Sequence, residues 1–167
     1  MELEHLMDLY VDELKDVYNA EKQILRALPK MAKKAEHPEL RQAFENHQNV
    51  TEEQVRRLET IFDDLKLPKR GKKCRGMEGL VEEGQEMMEE DADPDVMDAA
   101  MIASAQRIEH YEIAAYGTLR TYARQLGLQE HARLLQQTLD EEGETDKLLT
   151  RIAESRVNRD AEVGANR

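Results

Sequence analysis

Apolar residues recur every three or four positions along four long stretches of this chain, and turn chemistry stops each stretch. From about Leu3 to Ala35 one face reads Tyr10, Leu14, Val17, Glu21, Ile24, Leu25, Leu28 and Ala32. That period predicts a helix, with a kink expected at Pro29 because proline removes a backbone donor and crowds the preceding turn. A second stretch, Pro38 to about Lys66, places Leu40, Ala43, Phe44, His47, Val50, Gln54, Leu58, Ile61 and Leu65 on one face. A third, about Asp95 to Leu126, carries Met101, Ala105, Ile108, Tyr116, Leu119 and Ala123 and ends at Gly127. The fourth runs from about Leu128 to Ser155 with Leu135, Leu139, Glu142, Leu149 and Ile152 inward.

Very short turns join the first helix to the second and the third to the fourth, so each pair is expected to form an antiparallel hairpin. A helix of 28 residues is about 42 Å long. The segment 67–94 between the hairpins is long enough to run back along such a helix, and its second half, MEGLVEEGQEMMEEDADPD, reads as a short acidic helix. Two hairpins linked by one long crossover give the expected fold class: all-α, a ferritin-like up-down four-helix bundle whose crossover carries a short extra helix. The domain is expected to span 1–155, and the tail 156–167 (RVNRDAEVGANR) is expected to be disordered because it offers little apolar surface.

Polar residues interrupt the stripe at the middle of each of the four helices. Glu21 lies at the stripe centre of the first helix and His47 at that of the second. Glu109 and Glu112 straddle the third, and Glu142 occupies the fourth with Asp146 one turn later. In an up-and-down bundle these heights coincide. Any one of them alone would read as an edge residue reaching for water, but the coincidence on four helices needs another account. A carboxylate in a dry interior costs several kcal/mol, and several together repel. Divalent cations remove both penalties, and carboxylates with an imidazole suit iron or manganese. Glu21, His47, Glu109, Glu112, Glu142 and Asp146 are therefore the candidate metal ligands, for two iron ions or for manganese.

Composition adds exclusions. A net charge of −12 argues against a nucleic-acid partner, which would demand a basic footprint. No apolar run approaches the roughly 20 residues of a membrane helix, and the acidic N-terminus lacks a signal peptide's layout. With Cys74 as the only cysteine no internal disulfide forms, and a reducing cytoplasm is the expected location. Cations flanking Cys74 in KKCRG would lower its pKa, but a mobile basic loop also explains the motif and is the preferred reading. The third helix has a second small and apolar face, Ala100, Ser104, Tyr111, Ala115, Thr118 and Tyr122, which predicts a homodimer.

The stretches DLYVDELKDVYNAEKQILRALPKMA, QAFENHQNVTEEQVRRLE, CRGMEGLVEEG, SAQRIEHYEIAAYGTLRTYA and LLQQTLDEEGETDKLLTRIA resemble the YciF family of ferritin-like proteins. The resemblance covers the chain to about Ala153, with EHYEIAAYG and EEGETDKLL its most specific parts. It implies a rubrerythrin-like bundle, a role in bacterial stress responses, usually a homodimer, and no well-defined activity. The family pattern on the second helix resembles H-x-E-E-T, whereas here His47 is followed by Gln48, Asn49, Val50 and Thr51. Val50 thus stands where the resemblance implies a carboxylate, which predicts a weakened second metal position. Two functions remain open. One is a di-metal protein oxidising Fe(II) or handling peroxide or oxygen as a small-molecule oxidant. The other is a non-catalytic dimeric scaffold with a degenerate metal site.

Overall fold

The structure, a computed structural model, describes residues 3–163. Its elements are α1 (Leu6–Lys34), α2 (Pro38–Asp64), α3 (Arg75–Glu89), α4 (Pro94–Gln125), α5 (Gln129–Ile152), a π-helical turn (Ala153–Val157) and α6 (Asn158–Val163). No strand occurs among the described residues. The α1–α2 and α4–α5 hairpins pack with α1 against α4 and α2 against α5, and α3 lies outside the bundle across α4 and α1. This is the four-helix bundle with a long crossover.

Local chemistry sets the helix ends. Asp8 reaches back to accept the His5 N–H at 2.9 Å, and Lys33 and Lys34 face the negative C-terminal end of α1. Asp98 of α4 accepts from the backbone N–H of Glu36 and His37 at 3.1 and 2.7 Å, clamping the turn between α1 and α2. At the end of α4, Gly127 adopts φ +75°, while Leu128 N–H donates to Ala123 O and Gly127 N–H to Arg124 O. That pair of bonds closes the helix in the left-handed cap for which glycine is best suited. Lys66, at φ 54°, does the same after α2. Pro29 sits on the exposed side of α1, which runs through it without interruption.

The apolar core is split in two. Ile24, Leu28, Phe44, Met101, Ile108 and Leu149 belong to one part. Tyr10, Leu14, Leu58, Phe62, Tyr116 and Leu135 belong to the other. Between them, at the middle of every long helix, lies a layer of buried polar side chains. Burying each large apolar side chain is worth about 1.5–3 kcal/mol, so the two halves supply the stability that this polar layer draws on.

Two expectations need correction and a third is narrowed. The chain does not loosen at residue 156: α5 passes through one widened turn and continues helically to Val163, packed on α4. Ala153 and Val157 are the buried anchors, and residues 164–167 of the expected tail lie outside the described residues. Cys74 is fully buried, neither mobile nor activated. Its N–H donates to Asn19 Oδ1 at 2.8 Å, its sulfur caps α3 by accepting from Met77 N–H, and burial pushes the thiol pKa up. Finally, α3 covers part of the second face of α4 within the same chain. A methyl group on Gly76 would meet the Tyr111 ring at 2.7 Å, and one on Gly84 would touch Ser104. The Tyr111 hydroxyl donates to Asp16 and contacts Cys74 Sγ, each at 3.0 Å. α3 thereby covers Ser104, and Tyr111 finds its hydrogen-bond partners within the same chain.

Candidate metal centre

Five of the six candidate ligands converge. Glu21, His47, Glu109, Glu112 and Glu142 are each no more than 5% exposed. His47, Glu109, Glu112 and Glu142 each offer one ligand atom such that all four atoms lie within 4.8 Å of one another. His47 Nε2 stands 3.2 Å from Glu109 Oε1 and 3.8 Å from Glu142 Oε2. Glu21 completes the layer from α1, with Tyr116 donating its phenolic hydrogen to Glu21 Oε1.

Asp146 stands apart. It is partly exposed, its carboxylate accepts from Gln106 Nε2 at 3.1 Å, and it faces the exposed His110 at 3.2 Å. The turn that separates it from Glu142 carries it out of the buried layer. His110 lies on the flank, as its rotation from Glu109 predicts.

The sequence reading undervalues Gln54. This residue lies two turns beyond His47 on the same face of α2, fully buried, and its amide donates to Glu142 Oε1 and, at 3.3 Å, to Glu141 Oε2. Seven residues make two helical turns, and that spacing was the available signal. Val50, by contrast, is only half buried and lines a groove between α2 and α5. Thr145 Oγ1 gives its hydrogen to Glu141 O at 3.1 Å and stands 3.3 Å from His47 Nδ1. Its oxygen is then left to accept from Nδ1–H, which frees the Nε2 lone pair for a metal.

The electrostatics are those of a site short of positive charge. Burial raises all four carboxyl pKa values, and the neighbouring carboxylates add to this. Glu21 is pushed up to about 8, chiefly by burial and then by Glu142, and Glu109 to about 7, chiefly by burial. Glu112 and Glu142 move well above the usual carboxylate range for the same reason. Buried side-chain atoms without a hydrogen-bond partner are concentrated here: Glu21 Oε2, His47 Nε2, Glu109 Oε2, both Glu112 oxygens and Glu142 Oε2. Native interiors rarely leave such atoms unpaired. Three carboxylates and one imidazole that converge, with the Glu21 carboxylate in the same buried layer, fit a divalent first-row metal such as iron or manganese.

Comparison with known proteins agrees with this architecture. A family described as a domain of unknown function, DUF892, matches residues 5–162. Protein YciF of Escherichia coli strain K12 is 44% identical over 163 residues, 97% of this chain and 98% of that protein. The crystal structure of the E. coli stress protein YciF superposes with a TM-score of 0.90 at 43% identity, covering 95% of this chain and 100% of that one. YcfI of Rhodopseudomonas palustris superposes with a TM-score of 0.87 at 40% identity, covering 89% of this chain and 95% of that one.

Proposed function

The chain belongs to the DUF892 family and is YciF-like, and from that premise we propose that it is a stress-response protein that binds divalent metal, iron or manganese, in its bundle core. Glu21, His47, Glu109, Glu112 and Glu142 are the ligands in this reading. The observation that carries it is the set of buried, unpartnered carboxylate and imidazole atoms in the layer between the two halves of the core. A dry interior bears such a cost when a cation is there to repay it. When bound, iron or manganese would supply redox chemistry, with Fe(II) oxidation or the handling of oxygen or peroxide as the reactions in view. The protein's part is to hold the ligands. Tyr116 steadies Glu21, Gln54 steadies Glu142, and Thr145 sets the imidazole of His47. Asp146, engaged outside the layer, is not among the ligands.

A second reading, a non-catalytic dimeric scaffold, draws on two residues. Val50 replaces a carboxylate that the family pattern implies, and the Gln54 amide occupies one oxygen of Glu142. Calorimetric titration of chelator-treated protein with Mn(II) and, without oxygen, Fe(II) separates the readings. Saturable uptake at one or two ions per chain, weakened by Glu112→Ala, supports the metal site, while no uptake leaves the scaffold.

A further inference from the structure

Hydrogen-bond donors already occupy part of the buried layer. Gln54 of α2 is fully buried, and its Nε2 group meets two carboxylates of α5. It donates to Glu142 Oε1 and, at 3.3 Å, to Glu141 Oε2. A terminal amide has one donating and one accepting end. Two acceptors converge on it here, so the nitrogen faces them and the carbonyl faces away. Gln54 Oε1 is accordingly buried with no partner, a cost that the donated hydrogens offset. Arg57, just under one turn further along α2, enforces this orientation. Its guanidinium grips both oxygens of Glu141, at 2.6 and 2.7 Å, and donates to Thr138 Oγ1 at 3.1 Å. Glu141 is thereby fixed as an acceptor beside the amide.

Resting on the metal reading, we propose that Gln54, oriented by Arg57 through Glu141, restricts the core to one tightly bound divalent ion per chain. Paired ions in a protein site sit about 3.5–4 Å apart, and a carboxylate joins them by giving one oxygen to each. Glu142 turns Oε2 toward His47 Nε2, 3.8 Å away, on the side where His47, Glu109 and Glu112 also converge. Its Oε1 carries the Gln54 hydrogen, and the positive end of that amide dipole repels a second cation. Glu142 therefore serves one ion and cannot bridge two. Glu21 is the one carboxylate of the layer outside the converging group, and Tyr116 already donates to its Oε1. A second ion would have Glu21 Oε2 as its only unshared ligand atom. Val50 and Gln54 are thus separate causes of one weakness: Val50 withholds a ligand, and Gln54 withholds an oxygen.

The test is equilibrium dialysis of chelator-treated full-length protein against Mn(II), read out as metal content per chain and as the Mn(II) electron paramagnetic resonance spectrum. The native protein should saturate at one ion per chain and give the hyperfine pattern of isolated Mn(II). Gln54→Glu turns the donor into a ligand and should admit a second ion, with the halved hyperfine spacing of an exchange-coupled pair. Gln54→Met keeps the volume and removes the donor without adding charge. It should bind a second ion several-fold more tightly than the native chain, and it carries the test should Gln54→Glu fail to fold. Arg57→Met reports on the positioning. In metal-free protein it should make the Gln54 side-chain amide hydrogens exchange with solvent several-fold faster, and unchanged exchange would overturn the role given to Arg57. A coupled pair in the native protein would overturn the proposal and leave the metal reading intact, as would second-ion binding unchanged in both Gln54 variants. Protein that takes no Mn(II) in any version refutes the metal reading and the proposal together.

Discussion

Removing metal should make this protein lose stability as pH rises from 5.5 to 8, opposite to the usual acid denaturation. The unfolded chain ionises its carboxyls near 4.5, whereas folding holds Glu109 protonated to about 7 and Glu21 to about 8. Between those values the folded state binds more protons, so stability present at low pH is lost as pH rises. Each tenfold change in proton affinity is worth about 1.4 kcal/mol. Ionising Glu21 by pH 8 therefore costs the fold on the order of 5 kcal/mol, and Glu109 on the order of 3 kcal/mol. Glu112 and Glu142 act in the same direction. Glu78, Glu130 and Glu144 shift the opposite way, held low by Lys73, Arg133 and Lys147, so their contribution is lost only below about pH 4.5. For a chain of this size 1 kcal/mol moves the melting temperature by about 2–4 °C, so the part of the Glu21 effect that falls between pH 5.5 and 8, on the order of 3 kcal/mol, corresponds to a fall of about 6–12 °C. Mn(II) at a hundred times its dissociation constant should restore about 2.7 kcal/mol, and a fixed Mn(II) concentration should restore more at pH 8 than at lower pH, because fewer protons compete. The assay is a series of thermal melts in EDTA and in Mn(II) across the pH range. A metal-free melting temperature that stays flat or rises to pH 8 would refute the reasoning.

Other expectations follow from single residues. Val50→Glu restores the carboxylate that the family pattern implies and should raise metal content toward two ions per chain, or tighten the weaker ion, by elemental analysis and calorimetry. Cys74 should resist a thiol-specific chromogenic reagent at pH 8 in the native protein and react at once in denaturant, because its sulfur is buried and its pKa raised. A homodimer, if it forms, must use what α3 leaves uncovered on α4, so light scattering should show twice the chain mass and Tyr122→Glu should reduce it to a monomer with Tyr111→Phe unaffected.

Much of this was legible in the sequence because helices impose a period. Glu21, His47, Glu109, Glu112 and Glu142 interrupt apolar stripes at matched heights, and a bundle of long hairpins brings matched heights together. Asp146 sits one turn from Glu142 on nearly the same face, and periodicity could not foresee that Gln106 and His110 would hold it outside. Cys74 was misjudged because its basic neighbours describe the loop's composition. Its burial depends on contacts distant in sequence, with Asn19 and Tyr111. The docking of the segment up to Val163 escaped notice because it rests on one widened turn, Ala153–Val157, with only Ala153 and Val157 buried in it. Nothing in the period of α4 says that α3 of the same chain covers part of its second face, at Ser104 and Tyr111.

The central claim is that the polar layer exists to hold a cation, and anomalous diffraction from crystals soaked in Mn(II) tests it most directly. The account predicts a peak at the manganese edge enclosed by His47, Glu109, Glu112 and Glu142, with Glu21 beside it or on a second, weaker peak. Anomalous signal confined to surface carboxylates, with the bundle core empty at saturating Mn(II), would contradict it.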